Sequence, residues 1–183
     1  MNRWQAIADR VEGLNVAIGR GVAWLTLAMV LLTVAIVVLR YLFDLGWIWL
    51  QETVTWMHAA VFMLAAAYTL ARDEQVRVDI FYAAAGRRRQ ALIDVLGTLL
   101  FLLPFCAFLL VESWPYVLES WQIREGSREA GGLLYPAVPL LKSCIPLTAI
   151  LLLLQGLATL ARKLPLPPAD GGAERPQHPE PGL

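Results

Sequence analysis

The sequence predicts an all-α membrane protein with four transmembrane helices, an N-terminal amphipathic interfacial helix and both termini in the cytoplasm. Three observations carry that reading. Hydrophobic residues make up 58% of the 183-residue chain and charged residues only 16%, against about 45–50% apolar and about 25% charged in soluble domains. The apolar residues gather in four long runs, about 22–39, 48–70, 91–111 and 139–160, each near the ~20 residues that a helix needs to cross a bilayer core. Lysine and arginine concentrate on one side of those runs, the asymmetry that marks a cytoplasmic face.

Residues 1–20 come first. Trp4, Ile7, Val11, Leu14 and Ile18 recur at helical spacing, with Arg3, Asp9, Arg10 and Glu12 between them. That pattern suits a helix lying in the headgroup layer. No A-x-A-like site follows a short apolar core, so the first hydrophobic run reads as a retained span. This span, 22–39, is free of charge and closed by Arg40.

The second span, 48–70, carries Gln51, Thr55, His58, Ala59, Phe62, Ala65, Ala66 and Thr69 on one side. Small residues let helices approach and polar ones bond across them, so this face is expected to be buried. Trp56, Met57, Ala60, Leu64 and Ala67, opposite, are expected nearer lipid. A basic segment follows, with Arg72, Arg77, Arg87, Arg88 and Arg89.

The third span, 91–111, has Asp94 at one end within reach of those arginines, and Gly97 and Pro104 as a close approach and a kink site. Residues 112–135 read as an amphipathic helical extension ending in a loop at Gly131-Gly132. The fourth span, 139–160, has Lys142 at its outer end, where it can snorkel to water, and Arg162 and Lys163 at its inner end. Residues 164–183 are proline-rich and nearly without apolar side chains, a composition that predicts a disordered tail. The three domains are thus 1–20, 21–163 and 164–183.

Only Arg40, Arg124, Arg128 and Lys142 fall on the side opposite the basic segment. The positive-inside rule places that side outside the cell membrane's cytoplasmic face and both termini within. Trp47, Trp49, Trp114, Trp121 and Tyr135 gather on the same outer side, as an aromatic belt does.

The chemistry is sparse. Zero net charge gives no basis for a nucleic-acid partner. Cys106 and Cys144 lie in apolar runs without CxxC or metal-ligand spacing. A haem-bearing anchor of an electron-transfer complex needs two axial ligands, yet His58 is the one histidine at membrane depth, His178 being in the tail. Neither a Ser/His/Asp set nor a phosphate loop is present, and no enzyme activity or cofactor is expected. Arg40, Glu52, Asp94 and Lys142 all sit near span ends, whereas a transport path places ionisable groups within the membrane. A four-span homo-oligomeric exporter using Glu52 is the alternative. Polar, small-residue faces without site chemistry point to an accessory, scaffold-type subunit.

Arg40-Tyr41-Leu42-Phe43, followed by Trp49 and Glu52, resembles the R-Y-x-F…W-x-x-E signature of the small membrane subunit of tripartite ATP-independent periplasmic (TRAP) transporters. The resemblance continues in Val76-Arg77-Val78-Asp79-Ile80, in Glu125-Gly126-Ser127 with Gly131-Gly132-Leu133, and in Leu141-Lys142-Ser143 before Ile145-Pro146-Leu147. It covers most of residues 20–160. The chain departs from the pattern at Gln51 and Thr53, where a second acidic residue is frequent, and at Leu134, where proline is.

The resemblance implies a multi-pass protein of the bacterial inner membrane. Its partners would be a large many-span permease subunit, a periplasmic solute-binding protein and membrane lipids, and the system would take up an organic acid on an ion gradient. On that basis an Arg40–Glu52 pair is expected to fix the first hairpin. The Gln51/Thr55/His58 face is expected to make an intramembrane contact, within the bundle or with the large subunit. Trp114 and Trp121 are expected either to touch the binding protein or to serve as membrane belt.

Overall fold

A computed structural model describes residues 3–75, 82 and 85–164. The Val76–Ile80 stretch with Arg77, and the proline-rich tail beyond Leu164 with His178, lie outside the described residues. Four helices carry the described chain: α1, Arg3–Phe43; α2, Ile48–Ala71; α3, Arg87–Gln122; and α4, Ala137–Lys163. All four are long and apolar enough to cross a membrane.

The leader and the first span are one uninterrupted helix of 41 residues, about 60 Å long at 1.5 Å per residue. The expected boundary near residue 20 is therefore not a break. Ala8, Asn15, Gly19 and Val22 form its buried stripe, at the i, i+3, i+4 spacing that puts residues on one helical face. Gly19 lets α1 close on α2, since a Cβ there would run into Tyr68.

α3 changes its winding at Thr98–Leu102, a π turn in which the Leu103 N–H donates to the Thr98 carbonyl five residues back. Pro104 follows at once, and it has no N–H to continue the α ladder. The widened turn absorbs the missing bond. The helix then runs through Pro115 to Gln122, covering the first part of the extension expected over 112–135.

α4 is the hub. It packs on α1, α2 and α3, and α1 packs on α2. α3 rests on α4 and makes no extended contact with α1 or α2 among the described residues. Accordingly α4 holds more buried residues than any other helix, including Pro139, Pro146, Thr148, Ala149, Leu151, Gln155, Gly156 and Ala158. Gly156 brings α4 against α3, where a Cβ would touch the Leu102, Leu103 and Thr98 side chains.

Candidate functional site

Glu52 anchors one end of the bundle. It stands in the second turn of α2, and its Oε2 accepts a 2.7 Å hydrogen bond from the Leu133 N–H while its Oε1 accepts from the Ser127 hydroxyl. The loop 123–136 is shaped to deliver those donors. Ser127 N–H bonds to Leu133 O (2.9 Å) and Gly132 N–H to Glu129 O (3.0 Å). Gly131 takes φ +79°, a conformation that glycine adopts without strain. Gly132 has no room for a Cβ, which would meet Ser127 and Glu52. The Trp49 N–H, one of the donors that a helix start leaves unpaired, bonds to Gly131 O at 3.1 Å. Glu125-Gly126-Ser127 and Gly131-Gly132-Leu133, remote from Glu52 in sequence, thus converge on its carboxylate.

The expected Arg40–Glu52 pair does not form. Arg40, Tyr41 and Trp49 are exposed, and Glu52 is turned toward the loop, which offers it two donors. Reading the α1–α2 hairpin in isolation could not weigh a loop 75 residues away. The doubled glycine was the one sequence signal for a tight approach there.

Lys142 does not simply snorkel. Its ammonium lies 2.5 Å from Glu125 and 4.0 Å from the centroid of the Tyr116 ring, with the Lys142 and Glu125 side chains each only 16% exposed. Ser120 also donates to Glu125, at 2.6 Å. Hydrogen bonds from Lys142 first and Ser120 second hold the Glu125 carboxyl below its ordinary range. Trp121 donates its indole N–H to Ser143 at 3.1 Å and meets Tyr135 edge-on at 6.1 Å. It therefore ties α3 to α4. Trp114, more than half exposed, lines a shallow groove with Trp121, Leu118, Pro146 and Ile150.

The opposite end is closed by the last turn of α4. Arg162 pairs with Asp9 at 2.7 Å and with Glu12, and Lys163 pairs with Asp94. Tyr82 donates to Asp94 at 2.8 Å. Asp94 thus meets Lys163 as well as Tyr82. Deeper in, Asn15 donates to Gln155 at 2.8 Å, both side chains being buried. A cavity of about 690 Å³ opens between the ends of α2, α3 and α4, lined by Leu70, Ile93, Thr98, Gln155 and Lys163 among others. Its basic side chains, Arg162 and Lys163, are spent on Asp9, Glu12 and Asp94.

The α2 face expected to be buried is split: Ala59, Ala65, Ala66 and Thr69 are partly covered, whereas its more polar members look outward. Ala67 is buried and Trp56, Met57, Ala60 and Leu64 are partly covered by the chain's own helices. Gln51, Thr55, His58 and Phe62 are exposed. The packing of α1 and α4 fixes the choice: Tyr68, one residue from Ala67, lies against Gly19. Polarity alone could not separate a face buried in this chain from one that looks outward.

Four long apolar helices, with the ion pairs among the described residues lying toward their ends, define a multi-pass membrane protein. The family model for tripartite ATP-independent periplasmic transporters, DctQ component, matches residues 29–166. The chain belongs to that family, the small permease subunits of TRAP transporters. It is also similar to the C4-dicarboxylate TRAP transporter small permease protein DctQ of Vibrio cholerae serotype O1, with 33% identity over 89 residues. That match takes in 49% of this chain and 38% of the relative's length. No solved structure matches the chain.

Proposed function

We propose that the chain is the stationary brace of a three-part uptake system in a bacterial inner membrane. It stands beside a large many-span permease that moves an organic acid or similar solute, delivered by a periplasmic binding protein and driven by an ion gradient. Both termini are cytoplasmic, and loop 123–136 faces the periplasm. The observation that supports this reading is where the ion pairs lie. They clamp α4 to loop 123–136 at one end, through Lys142 and Glu125, and to α1 and α3 at the other, through Arg162 and Lys163. Pairs across elements at both ends of a hub helix resist relative motion of the four helices, as a frame beside a moving partner requires.

The test is transport. Deleting the gene is expected to abolish ion-gradient-driven uptake of the solute by cells, and the chain supplied in trans to restore it. The purified chain alone in proteoliposomes is expected to move neither carboxylate nor proton. Transport by the chain alone would favour the homo-oligomeric exporter.

A further inference from the structure

Outward-facing residues at membrane depth sort the helices sharply. On α1 the row includes Trp24, Leu27, Leu31, Val34 and Val38; on α3, Phe101, Phe105 and Phe108; on α4, Leu147, Ile150, Leu154 and Leu157. Lipid tails satisfy such surfaces. α2 differs. Its outward row is Gln51, Thr55, His58 and Phe62, an amide, a hydroxyl, an imidazole and a phenyl ring at successive i+3 and i+4 positions.

Depth makes His58 the informative member. α2 has 24 residues between Ile48 and Ala71, so His58 stands about 15 Å from one end and about 20 Å from the other at 1.5 Å per residue. That is the middle of a hydrocarbon core ~30 Å thick. A short imidazole cannot reach either interface from there. Thr55 turns its hydroxyl to the Gln51 carbonyl of its own helix at 3.3 Å, and Thr33 on α1 does likewise with Met29 at 2.7 Å. An imidazole N–H and a primary amide have no such recourse, and neither the His58 imidazole nor the Gln51 side-chain amide meets a hydrogen-bond partner among the described residues. Glu112, another exposed ionisable side chain on these helices, follows the uncharged run 95–111 and so stands toward an end of its span. An unmatched polar group in hydrocarbon costs several kcal/mol, which a lipid tail cannot return.

We propose that the Gln51/Thr55/His58/Phe62 face of α2 is the seam on which a transmembrane helix of the large permease subunit docks, with a hydrogen-bonding side chain or freed carbonyl of that helix meeting His58 at mid-membrane. The identity of the occupant rests on the brace reading above; the position of the seam rests on α2 alone. The partner helix places small residues opposite Phe62, which is 77% exposed and whose ring needs a hole to enter. Because the His58 side chain is exposed and holds no hydrogen bond or ion pair among the described residues, replacing it is expected to leave the four-helix fold intact.

The experiment is photo-crosslinking in native membranes, with a benzophenone amino acid introduced at position 55 or 58 on α2, or at 31 on α1, followed by mass identification of the product. Adducts from positions 55 and 58 to a many-span permease, with none from 31, are the expected result. Adducts to the permease from 31 and none from 55 or 58 would overturn the seam while leaving the brace reading standing. Adducts from 55 and 58 to a second copy of this chain would overturn the named occupant and the brace reading together. As an independent readout, His58→Phe should retain about threefold to tenfold less permease on a tagged chain, the range expected for one intramembrane hydrogen bond. His58→Gln, which keeps a donor and an acceptor, should retain most of it. Equal retention by both variants would overturn the hydrogen bond at His58.

Discussion

Glu52 spends its carboxylate on a backbone N–H and a serine hydroxyl supplied by a loop that begins 71 residues after it. Removing it strands both donors, so Glu52→Ala should lower unfolding stability in detergent by about 1–3 kcal/mol, the usual cost of leaving a half-buried polar group unmatched. Gly132→Ala should cost a similar ~1–3 kcal/mol by forcing a methyl into the same contact. Thermal or denaturant unfolding followed by tryptophan fluorescence would read both. Glu125 adds a pH dependence of defined sign. Its carboxyl is held below the ordinary value by Lys142 and Ser120. Its contribution to stability is therefore complete above the ordinary glutamate pKa, about 4.3, and is lost as pH falls through the lowered one. Wild type should lose melting temperature on acidification through that window, and Glu125→Gln should start lower and show a shallower loss. Much of this was visible in the sequence only as separate fragments. Lys142 at a span end and the Gly131-Gly132 turn were legible. That Glu52 chooses Leu133 and Ser127 over Arg40 depends on a tertiary fold of the loop that no local pattern records.

The presence of four spans was legible, because a bilayer permits few alternatives to long apolar helices. What local reading could not supply is how one helix meets another. Asn15 belongs to a stretch that scans as an interfacial leader, yet it pairs with Gln155 on α4. The continuous α1 carries Ala8, Asn15 and Gly19 on one stripe, and that stripe is the packing surface. Gly19→Ala should accordingly push α1 off the stem of the Tyr68 side chain and cost about 1–3 kcal/mol, seen as a lowered melting temperature. Helix ends offer a test of opposite sign. Arg124 closes α3 with φ +50°, and the next N–H, of Glu125, returns to Ser120 O at 3.0 Å. That is the position at which a helix stop favours glycine. Arg124→Gly should raise stability by up to about 1 kcal/mol, provided the Glu125–Lys142 pair is kept. α2 shows the limit of a face-by-face reading: the polar side was identified, but only its packing partners told which way it points.

At the scale of the molecule, the four spans are not a closed bundle. α1 and α2 pack with α4, and α3 leans on α4 from another side, so the chain offers wide lateral surfaces for its size. Its ion pairs hold the two ends, and its most polar outward face lies on α2. Those features suit a protein completed by another membrane chain. The most direct measurement is to tag this chain in its native membrane, extract it in mild detergent and identify what travels with it. A heteromeric complex with a many-span permease is the expected result. Recovery of the chain only as copies of itself, with the permease extracted separately, would contradict it.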